Sequence, residues 1–251
     1  MSLGEAIEQG VKAICRPPRS LYDLEDIPPT VPIPQYGEVI RMPIKFKNCR
    51  DQTIVGSLYQ PYEGSINLNA CVIYLHGNAS CQLEGVFLIP IFVPYGISVL
   101  CIDTSGSGMS EGEYISLGLL EKDDVIGAID FVKQEFGLTK FVLWGRSMGA
   151  ACVFFCLDED EQRSKHSERS IVGAIADSPF SSLEKLIREL AVEFSVPGCL
   201  TTPAVWYVTR KIKSFANYDI HDVEPIKHAP NCSQPIIIIH AECDDFINVD
   251  H

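Results

Sequence analysis

The sequence predicts an α/β protein with a mostly parallel central sheet and helices on both faces. Apolar runs recur at ACVIYL (70–75), ISVLCID (97–103), KFVLW (140–144), IVGAIA (171–176) and PIIIIH (235–240). They are continuous rather than alternating, as expected of strands buried on both faces. Segments of helical spacing lie between several of them, and such alternation favours parallel strand order. A chain of 251 residues suits one large domain of this class.

The elements follow in order. Residues 1–37 read as an N-terminal helix followed by a proline-rich arm. Leu3, Ile7, Val11 and Ile14 fall on one face of a short amphipathic helix, which is expected to dock on the domain. Residues 16–37 carry six prolines, so this stretch is extended rather than helical. The main domain, 38–251, opens with two strands, EVIRMPIKFK and TIVGSLYQ, joined by the turn NCRDQ. Pro43 lacks an N–H and suggests an edge position. Helical spacing runs over 116–136, with Leu120, Val125, Ile129 and Val132 on one face and a stop at Gly137. SMGAACVFFCL is an almost wholly apolar helix, expected to be packed beneath other elements. DEDEQRSKHSERS reads as a solvated loop. SSLEKLIRELAVEFS is amphipathic. Residues 181–234 exceed one crossover helix and read as a small helical insertion over the C-terminal edge of the sheet, where ligands bind in open α/β folds.

Composition narrows the function. The net charge of −13 disfavours nucleic acid as a partner and long-range attraction to anionic membranes, but is compatible with a small acyl-containing or peptide substrate. The N-terminus has acidic residues and no apolar block of signal-peptide length. Ten cysteines without a C-x-x-C pair therefore point to free thiols in a reducing, cytoplasmic setting. Cys152 and Cys156 share a helix face, but two thiols alone make no zinc site. Gly106 and Gly108 lack the third glycine of a dinucleotide fingerprint, so neither a metal nor a cofactor is expected.

The chemistry centres on Gly145-Arg146-Ser147-Met148-Gly149. A G-x-S-x-G run is weak alone; here a strand precedes it and a helix follows. That context projects a serine hydroxyl from a tight turn at the positive end of a helix. The bland alternative is a serine that caps the helix. With Ser147 as nucleophile, acyl transfer requires hydrogen-bond donors for the developing oxyanion. Met148 supplies one backbone N–H. Leu75-His76-Gly77-Asn78-Ala79-Ser80, after an earlier strand, offers the other, with Asn78 first and Ala79 second. His76 precedes the glycine and reads as scaffold rather than base. The acid is expected after a late strand, where Asp244 is favoured over Asp245; Asp177, after IVGAIA, is the alternative.

The order HGNAS, DTSGSGMSEG (103–112), GRSMGA, ADSPFSSL, IIIIHAECDDFI resembles the α/β-hydrolases. It is most similar to the serine-aminopeptidase-like subgroup that includes acyl-protein thioesterases (depalmitoylases). The resemblance covers roughly 38–251. It implies Ser147 as nucleophile, Asp244 as acid, His76 to Ala79 as the oxyanion loop, and 103–112 as a pocket wall. It also implies a histidine base two to three dozen residues past the acid, after one further strand and with a last helix. His251 lies seven residues past Asp244 and does not match that position. A chain lacking that strand, helix and histidine is expected to expose the edge of its last strand.

Three activities compete. The leading one is a serine hydrolase of ester, thioester or amide bonds. The others are a non-catalytic binding protein on the same fold, and a cofactor-free lyase or haloperoxidase-like enzyme. Leu186, Phe194, Trp206, Tyr207 and Phe215 are candidates to line the pocket.

Overall fold

Why the apolar runs are continuous is visible in where they lie. The computed structural model describes residues 3–62, 64–165, 169–193 and 197–251. Its strands are β1 (Thr30–Ile33), β2 (Gly37–Lys47), β3 (Thr53–Tyr59), β4 (Ala70–Leu75), β5 (Ile97–Asp103), β6 (Lys140–Arg146), β7 (Ile171–Asp177) and β8 (Ile236–Ile239). They form one sheet in the order β1-β2-β3-β5-β4-β6-β7-β8. The five strands from β5 to β8 in that order are mutually parallel, and β1, β2 and β3 join by antiparallel pairing.

The helices are α1 (Leu3–Cys15), α2 (Ile89–Phe92), α3 (Glu121–Phe136), α4 (Met148–Arg163), α5 (Leu183–Glu193), α6 (Gly198–Ala216) and α7 (Pro225–His228). On one face of the sheet, Ile73, Leu75, Leu100, Ile102 and Leu143 pack against Val125, Ile129 and Val132 of α3 and Val153 and Leu157 of α4. On the other, Val72, Tyr74, Val99 and Cys101 meet Leu88, Ile89 and Val93. Successive residues of β4 and β5 thus serve opposite faces, so each strand must be apolar throughout. Fully burying each such aliphatic side chain contributes about 1.5–3 kcal/mol.

A third apolar cluster lies over the C-terminal end of the sheet. There Val11 and Cys15 of α1 pack with Ile115, Met148, Phe180, Leu186 and the buried stripe Val205, Val208 and Ile212 of α6. The side chains of Leu3 and Ile7 lie outside the described residues.

Several boundaries differ from the sequence expectation. The helix expected from residue 116 begins at Glu121. The Glu121 carboxylate accepts the Ser116 and Gly118 N–H groups, both at 2.8 Å, and the Ser116 hydroxyl at 2.6 Å, so 116–120 is a tight loop tied to the first helical turn. The acidic run after Leu157 is not a loop at its start, because α4 continues to Arg163. Asp158 and Asp160 are buried there; Asp158 pairs with His228 and Asp160 accepts the Ile171 N–H. The proline-rich arm contains β1, which covers only Gly37–Ile40 of β2. Pro43 lies past that cover and opposite Ser57 of β3, so its missing N–H falls on the open side of β2. β8 has β7 on one side and no strand on the other among the described residues. Its Ile237, Ile238 and Ile239 are 60%, 60% and 46% exposed, which leaves both faces of this strand open.

Strand order also fixes where a site can form. From β4 the chain crosses outward to β5, then returns to β6 on the other side and continues to β7 and β8. Connections leaving β4 and β6 therefore diverge at the C-terminal ends of these strands, the switch point at which open α/β sheets bind ligands. Both segments singled out for acyl chemistry, His76–Ser80 and Gly145–Gly149, emerge there.

Candidate active site

Ser147 joins β6 to α4 with φ 53° and ψ −110°, a backbone state that costs a non-glycine residue about 1–3 kcal/mol. Its neighbours explain how the state is held. A Cβ on Gly145 would lie 2.1 Å from the Gly149 carbonyl oxygen, and one on Gly149 would lie 2.0 Å from the Leu75 carbonyl oxygen. Strand β6, helix α4 and the end of β4 thus meet at distances no larger residue allows. The Ser147 N–H donates to the Asp177 carbonyl at 2.8 Å, and the Ser147 carbonyl accepts the Ala151 N–H at 3.0 Å. The hydroxyl makes no capping bond to α4, so the helix-cap alternative does not account for this serine. The half-buried side chain stands at the positive end of a 16-residue helix.

The loop after β4 is fixed from below. His76 is fully buried; its Nδ1 lies 2.8 Å from the Gly77 carbonyl, and its Nε2 accepts the Thr104 N–H at 3.2 Å. Both ring nitrogens are committed to the scaffold. The Gly77 N–H donates to Glu84 Oε2 at 3.2 Å, and the Gly77 carbonyl accepts the Ser80 N–H at 3.2 Å. Ala79 adopts a left-handed φ of 59° in this turn. The N–H groups of Asn78 and Ala79 have no hydrogen-bond partner among the described residues. Met148, first residue of α4, has an N–H with no partner inside the helix. The Asn78 side chain is exposed and donates to the Ala13 carbonyl of α1 at 3.4 Å, so it is turned toward that helix.

Asp244 lies in the loop after β8. Its Oδ1 accepts the N–H groups of Phe246 and Ile247, both at 2.9 Å. Hydrogen bonds from the Ile247 and Phe246 backbone and the nearby His240 hold its carboxyl below the usual range. Ser178 is the link to Ser147: it follows Asp177, whose carbonyl holds Ser147, and its own N–H donates to the Ile239 carbonyl at 2.8 Å. The Asp177 carboxylate accepts the Ser178 hydroxyl at 3.2 Å. Asp245 is exposed.

The described histidines are engaged elsewhere. His240 Nε2 donates to the Ile247 carbonyl at 2.8 Å and lies 3.7 Å from Asp244 Oδ2. His251 Nδ1 accepts the Ser181 N–H at 3.0 Å, and its Nε2 donates to Glu189 at 2.9 Å; burial lowers its pKa. His221 pairs with Glu184 and His228 with Asp158. None of these hydrogen-bonds Ser147.

Of the candidate pocket residues, Leu186 is buried in the cluster over the sheet end. Trp206, Tyr207 and Phe215 are instead exposed on α6, because Val205, Val208 and Ile212 take its inner stripe. Phe194 lies outside the described residues. Sequence reasoning missed Glu84, which bonds both the Gly77 N–H of the loop after β4 and Arg146. The one signal available was that Glu84 is the sole charged residue in SCQLEGVFLIPIFVPYG (80–96).

A strained serine turn between a central parallel strand and its helix, at the switch point of a sheet of this order, is the architecture of the α/β-hydrolases. Residues 67–215, more than half of the chain, match the family described as serine aminopeptidase, S33, and the protein belongs to that family. It is 26% identical over 180 residues to the Bacillus subtilis protein YqkD, covering 71% of this chain and 56% of YqkD. It is 25% identical over 210 residues to human ABHD12B, covering 81% of this chain and 54% of that protein. The chain spans about half the length of these curated relatives. Among solved structures, the Pyrococcus furiosus esterase Pf2001 superposes with a TM-score of 0.62 at 21% identity, over 84% of this chain and 74% of the esterase. The Pyrococcus horikoshii acylaminoacyl peptidase gives 0.59 at 14% identity, over 84% and 33%. At these identities the superpositions establish the fold alone. Among the described residues no helix is long and apolar enough to cross a membrane.

Proposed function

We propose that the protein is a serine hydrolase that cleaves an ester, thioester or amide bond through an acyl-enzyme on Ser147. The observation that carries this is the Ser147 turn: a strained backbone, an uncapped hydroxyl and two glycines that tolerate no side chain. In this reading Ser147 Oγ attacks the substrate carbonyl carbon while a histidine takes its proton. The C–O, C–S or C–N bond breaks with the proton delivered to the leaving group, and water then releases the acid. The N–H groups of Met148 and Asn78 receive the oxyanion, each such donor being worth about 2.7–4 kcal/mol when lost. Asp244, ionised and fixed by two backbone N–H groups, orients the imidazole and stabilises its cation. The esterase and peptidase among the structural neighbours are compatible with this range of acyl substrates.

A second reading, a non-catalytic binding protein on the same fold, is favoured by the engagement of the five described histidines away from Ser147. Turnover of a panel of p-nitrophenyl esters, acyl thioesters and aminoacyl amides, by protein expressed from its complete reading frame, separates the two. Hydrolysis that disappears in Ser147→Ala supports the hydrolase. No turnover of any class supports the binding protein.

A further inference from the structure

The residue before the nucleophile and the loop opposite it share one carboxylate. Arg146 Nε is ion-paired with Glu84 Oε1, which also accepts the Tyr74 hydroxyl at 2.8 Å. Glu84 Oε2 accepts the Gly77 N–H at 3.2 Å. A Cβ on Gly77 would lie 3.1 Å from Arg146 Nη2, so the guanidinium lies close against the loop backbone at the glycine. Tyr74 is buried in β4, and Glu84 keeps only 17% of its side chain exposed, so the carboxylate is anchored from the sheet rather than swinging in solvent. Burial works against its charge, but Arg146, Ser80 and Tyr74 hold its pKa below the usual range.

We propose that the Arg146–Glu84 pair is a strut that sets the spacing between Ser147 and the Asn78 and Ala79 N–H groups, making both side chains positioning residues for the oxyanion. The proposal rests on the reading of Ser147 as an acyl-transfer nucleophile. Its logic is one of connection. The carboxylate holds the Gly77 N–H, so the next two N–H groups are left for a ligand; the guanidinium ties that carboxylate to the residue adjoining Ser147. Neither group transfers a proton or touches the reacting atoms.

Four variants of the full-length protein test this: Arg146→Met, Arg146→Lys, Glu84→Gln and the Arg146→Met/Glu84→Gln double. With a p-nitrophenyl ester, Arg146→Met is expected to lower kcat about 10- to 100-fold with KM within about twofold, as misplacement of oxyanion donors would do. Arg146→Lys, which can still reach Glu84, recovers part of that loss. The Arg146→Met/Glu84→Gln double variant is no worse than its poorer single parent, because both changes cut one connection. Independently of turnover, amide hydrogen exchange across 76–80 quickens in Arg146→Met and in Glu84→Gln. A wild-type protein that hydrolyses nothing overturns the hydrolase reading and leaves exchange to judge the strut. Unchanged exchange in folded variants, losses confined to KM, or fully additive single effects overturn the strut itself.

Discussion

The Ser147 side and the Asp244 side of this site are built differently. Around Ser147 the backbone of three elements is in contact, and Gly145 and Gly149 leave no room for a methyl group. Around Asp244 the geometry comes from a local turn, with two N–H groups two and three residues downstream folded onto one carboxylate oxygen. Burial follows the same division. β6 and α4 are covered on both sides, whereas β8, which delivers the Asp244 loop, exposes three isoleucines. The first region is held by sterics, with no room for added volume at Gly145 or Gly149; the second is held by hydrogen bonds from a local turn.

Substitutions can break or sharpen that contrast. The largest effect is expected from Ser147→Ala, which should lower kcat by about 10⁶-fold with little change in the urea midpoint. Next is Asp244→Asn. An amide oxygen still accepts the Phe246 and Ile247 N–H groups, so folding is retained while kcat falls by about 10⁴-fold. Asp177→Asn should leave turnover close to wild type; the opposite ranking of the two would transfer the acid role to Asp177. Asp244 also gives a pH signature. Its folded pKa is depressed, so its contribution to stability is present above the unfolded value of about 3.9 and is lost as pH falls through the folded value. The stability advantage of wild type over Asp244→Asn in urea titrations is therefore expected at pH 7 and should fade toward pH 3.

Steric effects come third. Gly149→Ala should destabilise by about 3 kcal/mol or more, since the new methyl meets a backbone oxygen that cannot move without shifting β4. Ser147→Gly is the converse. It removes the hydroxyl yet relieves the positive φ, and should raise stability by about 1 kcal/mol in thermal unfolding. Trp206→Ala, on the exposed face of α6, should change stability by less than about 0.5 kcal/mol.

This division also explains what the sequence disclosed. The elbow was legible because its requirements are local: two glycines, a serine between them, a strand before and a helix after. The central strands were legible because burial on both faces makes them apolar throughout. β1 was hidden inside a proline-rich arm, since its pairing with Gly37–Ile40 depends on β2 and not on its own residues. The late start of α3 was hidden because the Glu121 carboxylate ties down Ser116 and Gly118, a side-chain effect that apolar spacing does not register. The outward placement of Trp206, Tyr207 and Phe215 followed from which stripe of α6 is claimed by Val205, Val208 and Ile212. Glu84 was least legible of all, because its partners Arg146, Gly77 and Tyr74 come from three other segments.

The central claim is that the strained turn presents Ser147 as a nucleophile. Incubation of the full-length protein with a fluorophosphonate probe, followed by peptide mass mapping, tests it most directly. The account predicts a single covalent adduct on Ser147, absent in Ser147→Ala. A wild-type protein that stays unlabelled, or a variant that labels as well as wild type, would contradict it.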